Sequence, residues 1–178
     1  RPVVINEPSL AETEDILRGV KGYYETYHGV LIPDQIIVQA VYLAHRYIND
    51  RFMPDKAIDL LDEAAASLAL SSSAINESYS IREELLKLKT EREEAEAVTE
   101  KNEEKKYERI AKIKSKEMAL SDRLNVLEQE CKKVVLSLED IASVIEVWTG
   151  IPATTIKENE FRLIDKLEER LKSRFEWG

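Results

Sequence analysis

Apolar residues recur along this chain at intervals of three and four, the period of a helix. In "NEPSLAETEDILRGVKGYYETYHG" they fall at Ile16, Leu17, Val20, Tyr24 and Tyr27. Ser9 and Glu12 have capping-box spacing: the serine hydroxyl accepts from the Glu12 N–H, and the Glu12 carboxylate reaches back to the N–H of Ser9. Gly29 closes this helix. A second helix is predicted in "PDQIIVQAVYLAHRYIND", with Pro33 near its start and a stripe of Ile37, Val41, Ala44 and Ile48. A third begins at Pro54, whose fixed φ and missing N–H suit the first helical position, and runs through Ile58, Leu61, Ala65 and Leu68. Val3, Val4 and Ile5 suit a short strand ahead of the first helix. The three helices carry enough apolar surface to pack on one another.

The pattern changes near Ser71. Over "SIREELLKLKTEREEAEAVTEKNEEKKYERIAKIKSKEMALSDRLNVLEQECKK" the apolar positions thin to one stripe: Ile81, Leu85, Leu88 and Ala95, then Ile110, Ile113, Leu120, Leu124, Leu127, Cys131 and Val134. A narrow stripe in a charged setting describes a coiled-coil seam. It lapses between Val98 and Lys106, which predicts two antiparallel helices joined there, each arm about 35–40 Å long at 1.5 Å per residue. A single solvated helix is the alternative, but so narrow a stripe needs a partner. Globular character then returns. Val134–Leu136 suits a strand, Ser137 and Asp140 cap a helix carrying Ile141, Val144, Ile145 and Trp148, and Gly150 and Pro152 stop it. Ile141 and Trp148 are expected in a core. The hairpin thus reads as an insertion into a small domain that resumes beyond it. A last amphipathic helix is predicted in "ENEFRLIDKLEERLKSRF" through Phe161, Ile164, Leu167 and Leu171.

One residue breaks the local rules. Lys56 stands in the first turn of the third helix, where the helix dipole is positive and acidic residues are favoured. Asp55 or Asp59 of the same helix, or an anionic ligand such as phosphate, would balance it.

Composition narrows the class. Charged residues make up 34% of the 178, with only 5 Gly and 5 Pro, which favours helices over strands. A net charge of −9 argues against nucleic-acid or anionic-membrane binding. No apolar run approaches membrane-spanning length. The lone Cys131 has no internal disulfide partner, which suits a reducing, cytoplasmic compartment. The opening "RPVVINEPS" and closing "SRFEWG" do not read as natural termini, so a fragment is expected.

Self-contained chemistry is missing from the motifs. There is no GxxxxGK[ST] phosphate cradle. Two histidines, His28 and His45, and one cysteine make no zinc-ligand spacing. No serine has a nucleophile-elbow setting. The Asp59/Asp62 pair fits a solvated face or salt bridges better than acid–base work.

Three stretches carry a family resemblance: "EPSLAETEDILRGVKGYYETYHGV", "RYINDRFMPDKAIDLLDEAAA" and "LEDIASVIEVWTGIP". In this order they are similar to the Clp unfoldases of the AAA+ ATPases: the lid subdomain of the first ATPase module, its middle-domain insertion and the linker to the second module. A single short hairpin resembles the ClpC type, or a relative such as ClpE or ClpL. The resemblance implies a mainly α fold, a small lid bundle interrupted by a coiled-coil hairpin with a few short strands. It implies lid segments at 1–73 and 134–156, a middle domain at 74–133 and a linker helix at 157–178. It implies a nucleotide-facing surface of Ile16, Leu17, Pro54, Lys56 and Ile58, with Lys56 leaning toward phosphate or toward a neighbouring subunit, and with ATP or ADP and magnesium held by the parent protein. It implies a hexameric ring, protein substrates, a ClpP-like peptidase, and adaptors that contact the hairpin tip at Tyr107 and Arg109. The chain alone is then expected to be monomeric or weakly associating, and inactive toward ATP. A stand-alone coiled-coil scaffold or adaptor is the competing expectation.

Overall fold

The computed structural model describes residues 6–99 and 101–160. Six helices follow one another: α1 (Leu10–His28), α2 (Asp34–Tyr47), α3 (Asp55–Ser71), α4 (Ser73–Ala97), α5 (Glu103–Cys131) and α6 (Leu138–Thr149). A further helical stretch starts at 153 and continues to 160. The chain divides into two compact units, one formed by the residues up to Leu68 together with those from Val135 onward, the other by Ala69–Val134.

In the first unit each helix is bounded by the chemistry its sequence supplies. Ser9 Oγ accepts from the Glu12 N–H at 3.1 Å, Glu12 returns the contact to the Ser9 N–H, and Gly29 ends α1 at φ 75°. Ser137 and Asp140 form a second capping box at α6, which Gly150 ends at φ 79°. Glycine takes the left-handed conformation without the steric cost a Cβ imposes. The turn between α1 and α2 is tied down by the Ile32 N–H, which donates to Glu25 at 2.9 Å, and by Lys21, which reaches Asp34 at 3.1 Å.

Ile37, Val41, Ala44 and Ile48 of α2 are all buried, as the stripe predicts. On α3 the buried face is Ala57, Leu60, Leu61, Ala64 and Ala65; Ile58 and Leu68 are only half-buried. Leu17 is the one apolar residue of α1 that is fully buried, while Ile16 and Tyr27 face solvent. Ile141 is fully buried, but Trp148 is only half-buried, which corrects the expectation that both lie in the core. The strand expected at Val134–Leu136 reduces to a single parallel bridge between Leu31 and Val135, with the Leu136 N–H donating to Leu31 O at 2.8 Å. The helix expected from Glu158 begins earlier, because Pro152 O accepts from the N–H groups of Thr155 and Ile156 and starts a turn there. The strand expected at Val3–Ile5 and the residues Phe161, Ile164, Leu167 and Leu171 lie outside the described residues.

The second unit is an antiparallel helical hairpin. Leu88, Ala95, Ile110 and Ile113 form its core, with Leu120 packed against them. Ion pairs cross the seam with one arm ascending and the other descending: Arg123 to Glu77 through two contacts of 3.0 Å, Arg82 to Glu128 at 3.5 Å, and Arg92 to Glu117 at 2.8 Å. The Arg123 guanidinium holds the Glu77 carboxyl below its usual range. Asn102 caps α5 after a short connection, where the apolar stripe lapses. At 1.5 Å per residue the 25 residues of α4 extend about 37 Å.

Candidate functional site

The connection from α2 to α3 is held by several side-chain contacts. Pro54 stands one position before α3, not inside it: its carbonyl accepts from the Ala57 and Ile58 N–H groups, both at 3.1 Å, and a cis peptide precedes it. The Met53 N–H donates to the Glu7 carboxylate at 2.6 Å. The Arg51 guanidinium lies 4.7 Å from the centroid of the Trp148 ring and pairs with Asp59 at 3.4 Å. This gives the half-buried Trp148 a cation on one face and leaves its edge lining a shallow pocket with Glu63, Ser67, Ser143, Val144 and Val147. Phe52 projects from the same connection, 76% exposed.

Lys56 resolves its own oddity in a way the sequence did not indicate. Its side chain turns inward, 5% exposed, and Nζ donates to the carbonyl oxygen of Ile48 at 2.8 Å. Ile48 is the C-cap residue of α2, which ends in an extended conformation without a glycine. The last carbonyls of a helix lack intrahelical partners, and that end of the dipole is negative. The cation at the positive end of α3 is therefore matched by the negative end of α2. Among the described residues neither Asp55 nor Asp59 pairs with Lys56; Asp59 takes Arg51 instead.

The other residues expected to face nucleotide separate by exposure. Leu17 is fully buried and serves the core. Ile16 is 38% exposed, and Pro54 and Ile58 are half-buried. Ile16, Pro54 and Ile58 thus each keep some apolar surface open, and all three belong to the same compact unit. Among the described residues no group of three His, Cys, Asp or Glu side chains could hold a metal ion.

Both histidine and carboxylate expectations find structural outcomes. His28, the last residue of α1, meets Asp62 of α3 with Nε2 and Oδ1 2.6 Å apart. Tyr24 stacks on His28 at a centroid distance of 6.4 Å, and burial, followed by the Asp62 charge, pushes its phenol above the usual range. On the hairpin, Tyr107 is 64% exposed and Arg109 is exposed, both in the first two turns of α5 beside the connection between the arms.

Reasoning from the sequence missed Glu7, Arg51 and the exposed Phe52. Glu7 acts on a backbone N–H 46 residues away, so no local spacing announces it. Arg51 acts through Trp148 on a separate helix.

A family model described as AAA lid domain matches residues 9–114. The "ATP-dependent Clp protease ATP-binding subunit ClpC" of Staphylococcus aureus strain USA300 is 39% identical over 98% of this chain. The protein of the same name from Staphylococcus saprophyticus is 35% identical over the same share. The chain spans 21% of the length of each of these relatives. A closed-state cryo-EM reconstruction of Hsp104 with ATPγS and FITC casein matches 97% of this chain and 20% of its own, with a TM-score of 0.50 at 24% identity, and so shares its fold. The chain belongs to the AAA lid domain family. It resembles the lid region of ClpC-type AAA+ unfoldases, and a stand-alone scaffold is not favoured.

Proposed function

We propose that this chain is the lid and middle-domain portion of a ClpC-type ATP-dependent protein unfoldase. The observation that carries the reading is the 39% identity to ClpC over 98% of the chain, through both the helical bundle and the hairpin. A scaffold sharing only coiled-coil character would match at the hairpin alone. In the parent protein the bundle closes over bound ATP or ADP, offering Ile16, Pro54 and Ile58 to the base, while magnesium and the phosphates are held by residues outside this chain. The chain itself, lacking a GxxxxGK[ST] sequence, does not hydrolyse ATP. The parent works as a hexameric ring in the cytoplasm and delivers unfolded protein substrates to a ClpP-like peptidase.

The hairpin is the regulatory element, with Tyr107 and Arg109 as its adaptor-contacting residues. An aromatic ring that is 64% exposed among charges does little for folding, and aromatic residues are favoured interface anchors. Two substitutions in the full-length protein test the two halves separately. Ile58→Asp puts a charge against the base and is expected to weaken ADP binding tenfold or more. Tyr107→Ala is expected to leave nucleotide affinity and helicity unchanged while altering adaptor binding or basal ATPase rate. Unchanged ADP affinity in the first variant overturns the nucleotide-facing role. Loss of hairpin helicity in the second, with assembly and adaptor binding intact, overturns the interface role.

A further inference from the structure

We infer that Lys56 is a positioning residue for the base-side surface and does not donate to nucleotide phosphate. Three observations meet at this side chain. It is 95% removed from solvent in a turn where a cation is disfavoured. Its Nζ is 2.8 Å from the carbonyl of Ile48, the residue at which α2 ends without a glycine cap. The backbone between Ile48 and Lys56 contains Pro54, one of the residues offered to the base, and Ile58 follows half a turn later. One hydrogen bond therefore closes the connection from α2 to α3 into a ring of nine residues and fixes where Pro54 emerges from it. The Glu7 contact to the Met53 N–H and the Arg51 pair with Asp59 hold the same connection at two further points. An ammonium released from Ile48 to reach a phosphate would abandon that carbonyl in a buried setting, which is costly. Lys56 is thus spent on fixing the geometry of the connection.

The inference rests on the nucleotide-facing reading of Pro54 and Ile58, and the test separates the two. The full-length protein is prepared as wild type, Lys56→Met, Lys56→Arg and Ile58→Asp. Affinities for fluorescent AMP, ADP and ATP analogues are measured for each. A positioning role predicts that Lys56→Met weakens all three by a similar factor, threefold to tenfold, because the loss lies on the base side. Lys56→Arg, which keeps a donor for the Ile48 carbonyl, restores most of the affinity. A phosphate ligand predicts a loss that grows with each added phosphate, and that result overturns the inference. A lower melting temperature with unchanged affinity for all three nucleotides also overturns it, leaving Lys56 a purely structural residue. If Lys56→Met does not fold, Lys56→Gln with hydrogen exchange replaces it: faster exchange confined to residues 48–58 supports the positioning role, and uniform exchange overturns it. If Ile58→Asp binds all three nucleotides normally, the nucleotide-facing reading itself fails, and the inference with it.

Discussion

Replacing Leu88 by alanine should lower the melting midpoint of the hairpin while leaving that of the bundle in place. Leu88 is 6% exposed and belongs to a core of four buried residues, so its loss has few neighbours to absorb it. Removing three carbons at about 0.8 kcal/mol each forfeits roughly 2.4 kcal/mol of burial. A cavity adds to that in an enclosed core, but a two-helix seam closes on itself more readily, so about 2–3 kcal/mol is expected. For a unit of this size each kcal/mol moves the midpoint by about 4–8 °C, giving a drop of roughly 10–20 °C. Two signals separate the units. Helicity at 222 nm sums over all the helices, α4 and α5 with their 25 and 29 residues among them, while the two tryptophans, Trp148 and Trp177, both lie outside Ala69–Val134. The helical signal should acquire an early transition, and the tryptophan fluorescence midpoint should stay within about 2 °C of wild type. A shift below about 4 °C would place Leu88 outside the seam. Equal shifts in both signals would show that the two units unfold as one.

Trp148→Ala should cost about 2 kcal/mol, less than a fully buried ring, because the indole is half-buried and its partner is the Arg51 guanidinium; a change under about 0.5 kcal/mol in denaturant unfolding would show that the indole and its cation contribute nothing to the packing. Glu160 is 6% exposed with one carboxylate oxygen lacking a hydrogen bond, and burial raises its pKa, with Arg46 opposing. An acid raised on folding stabilises the fold below its unfolded pKa, and that contribution is lost as pH rises through the folded value. Glu160→Gln should therefore raise the melting temperature at pH 7 and leave it unchanged near pH 4; the opposite pH dependence would contradict this burial. Glu77 has a lowered pKa from its hydrogen bonds to Arg123, so its contribution is present above the unfolded value and is lost as pH falls through the folded one. Glu77→Gln should lower the hairpin midpoint at pH 7 and converge with wild type in acid; a constant difference at every pH would mean the pair does not act through charge.

Local rules made the helix ends legible. Ser9 with Glu12, Gly29, Ser137 with Asp140, and Gly150 are caps whose partners lie within a turn, and each forms as its spacing predicts. The hairpin was equally legible, because its narrow apolar stripe and the lapse in that stripe are simple periodicity. What the sequence could not reveal depended on elements meeting from far apart. The stripe of α1 counted Ile16, Leu17 and Tyr27 alike, and tertiary packing buried only Leu17. Ile58 was counted with the core of α3, whose buried face is carried by Leu60 and the alanines. The candidates for balancing Lys56 were sought within its own helix or in a ligand. The partner is a backbone carbonyl, which leaves no trace in side-chain identity.

The central claim is that the bundle offers Ile16, Pro54 and Ile58 to a nucleotide base in the full-length protein. Photolabelling that protein with an azido-adenine nucleotide, then mapping the modified peptides by mass spectrometry, tests it most directly. Label competed away by ADP should fall on the peptide containing Ile16 or on the one spanning Pro54–Ile58. Competable label confined to peptides outside residues 6–68 would contradict the claim.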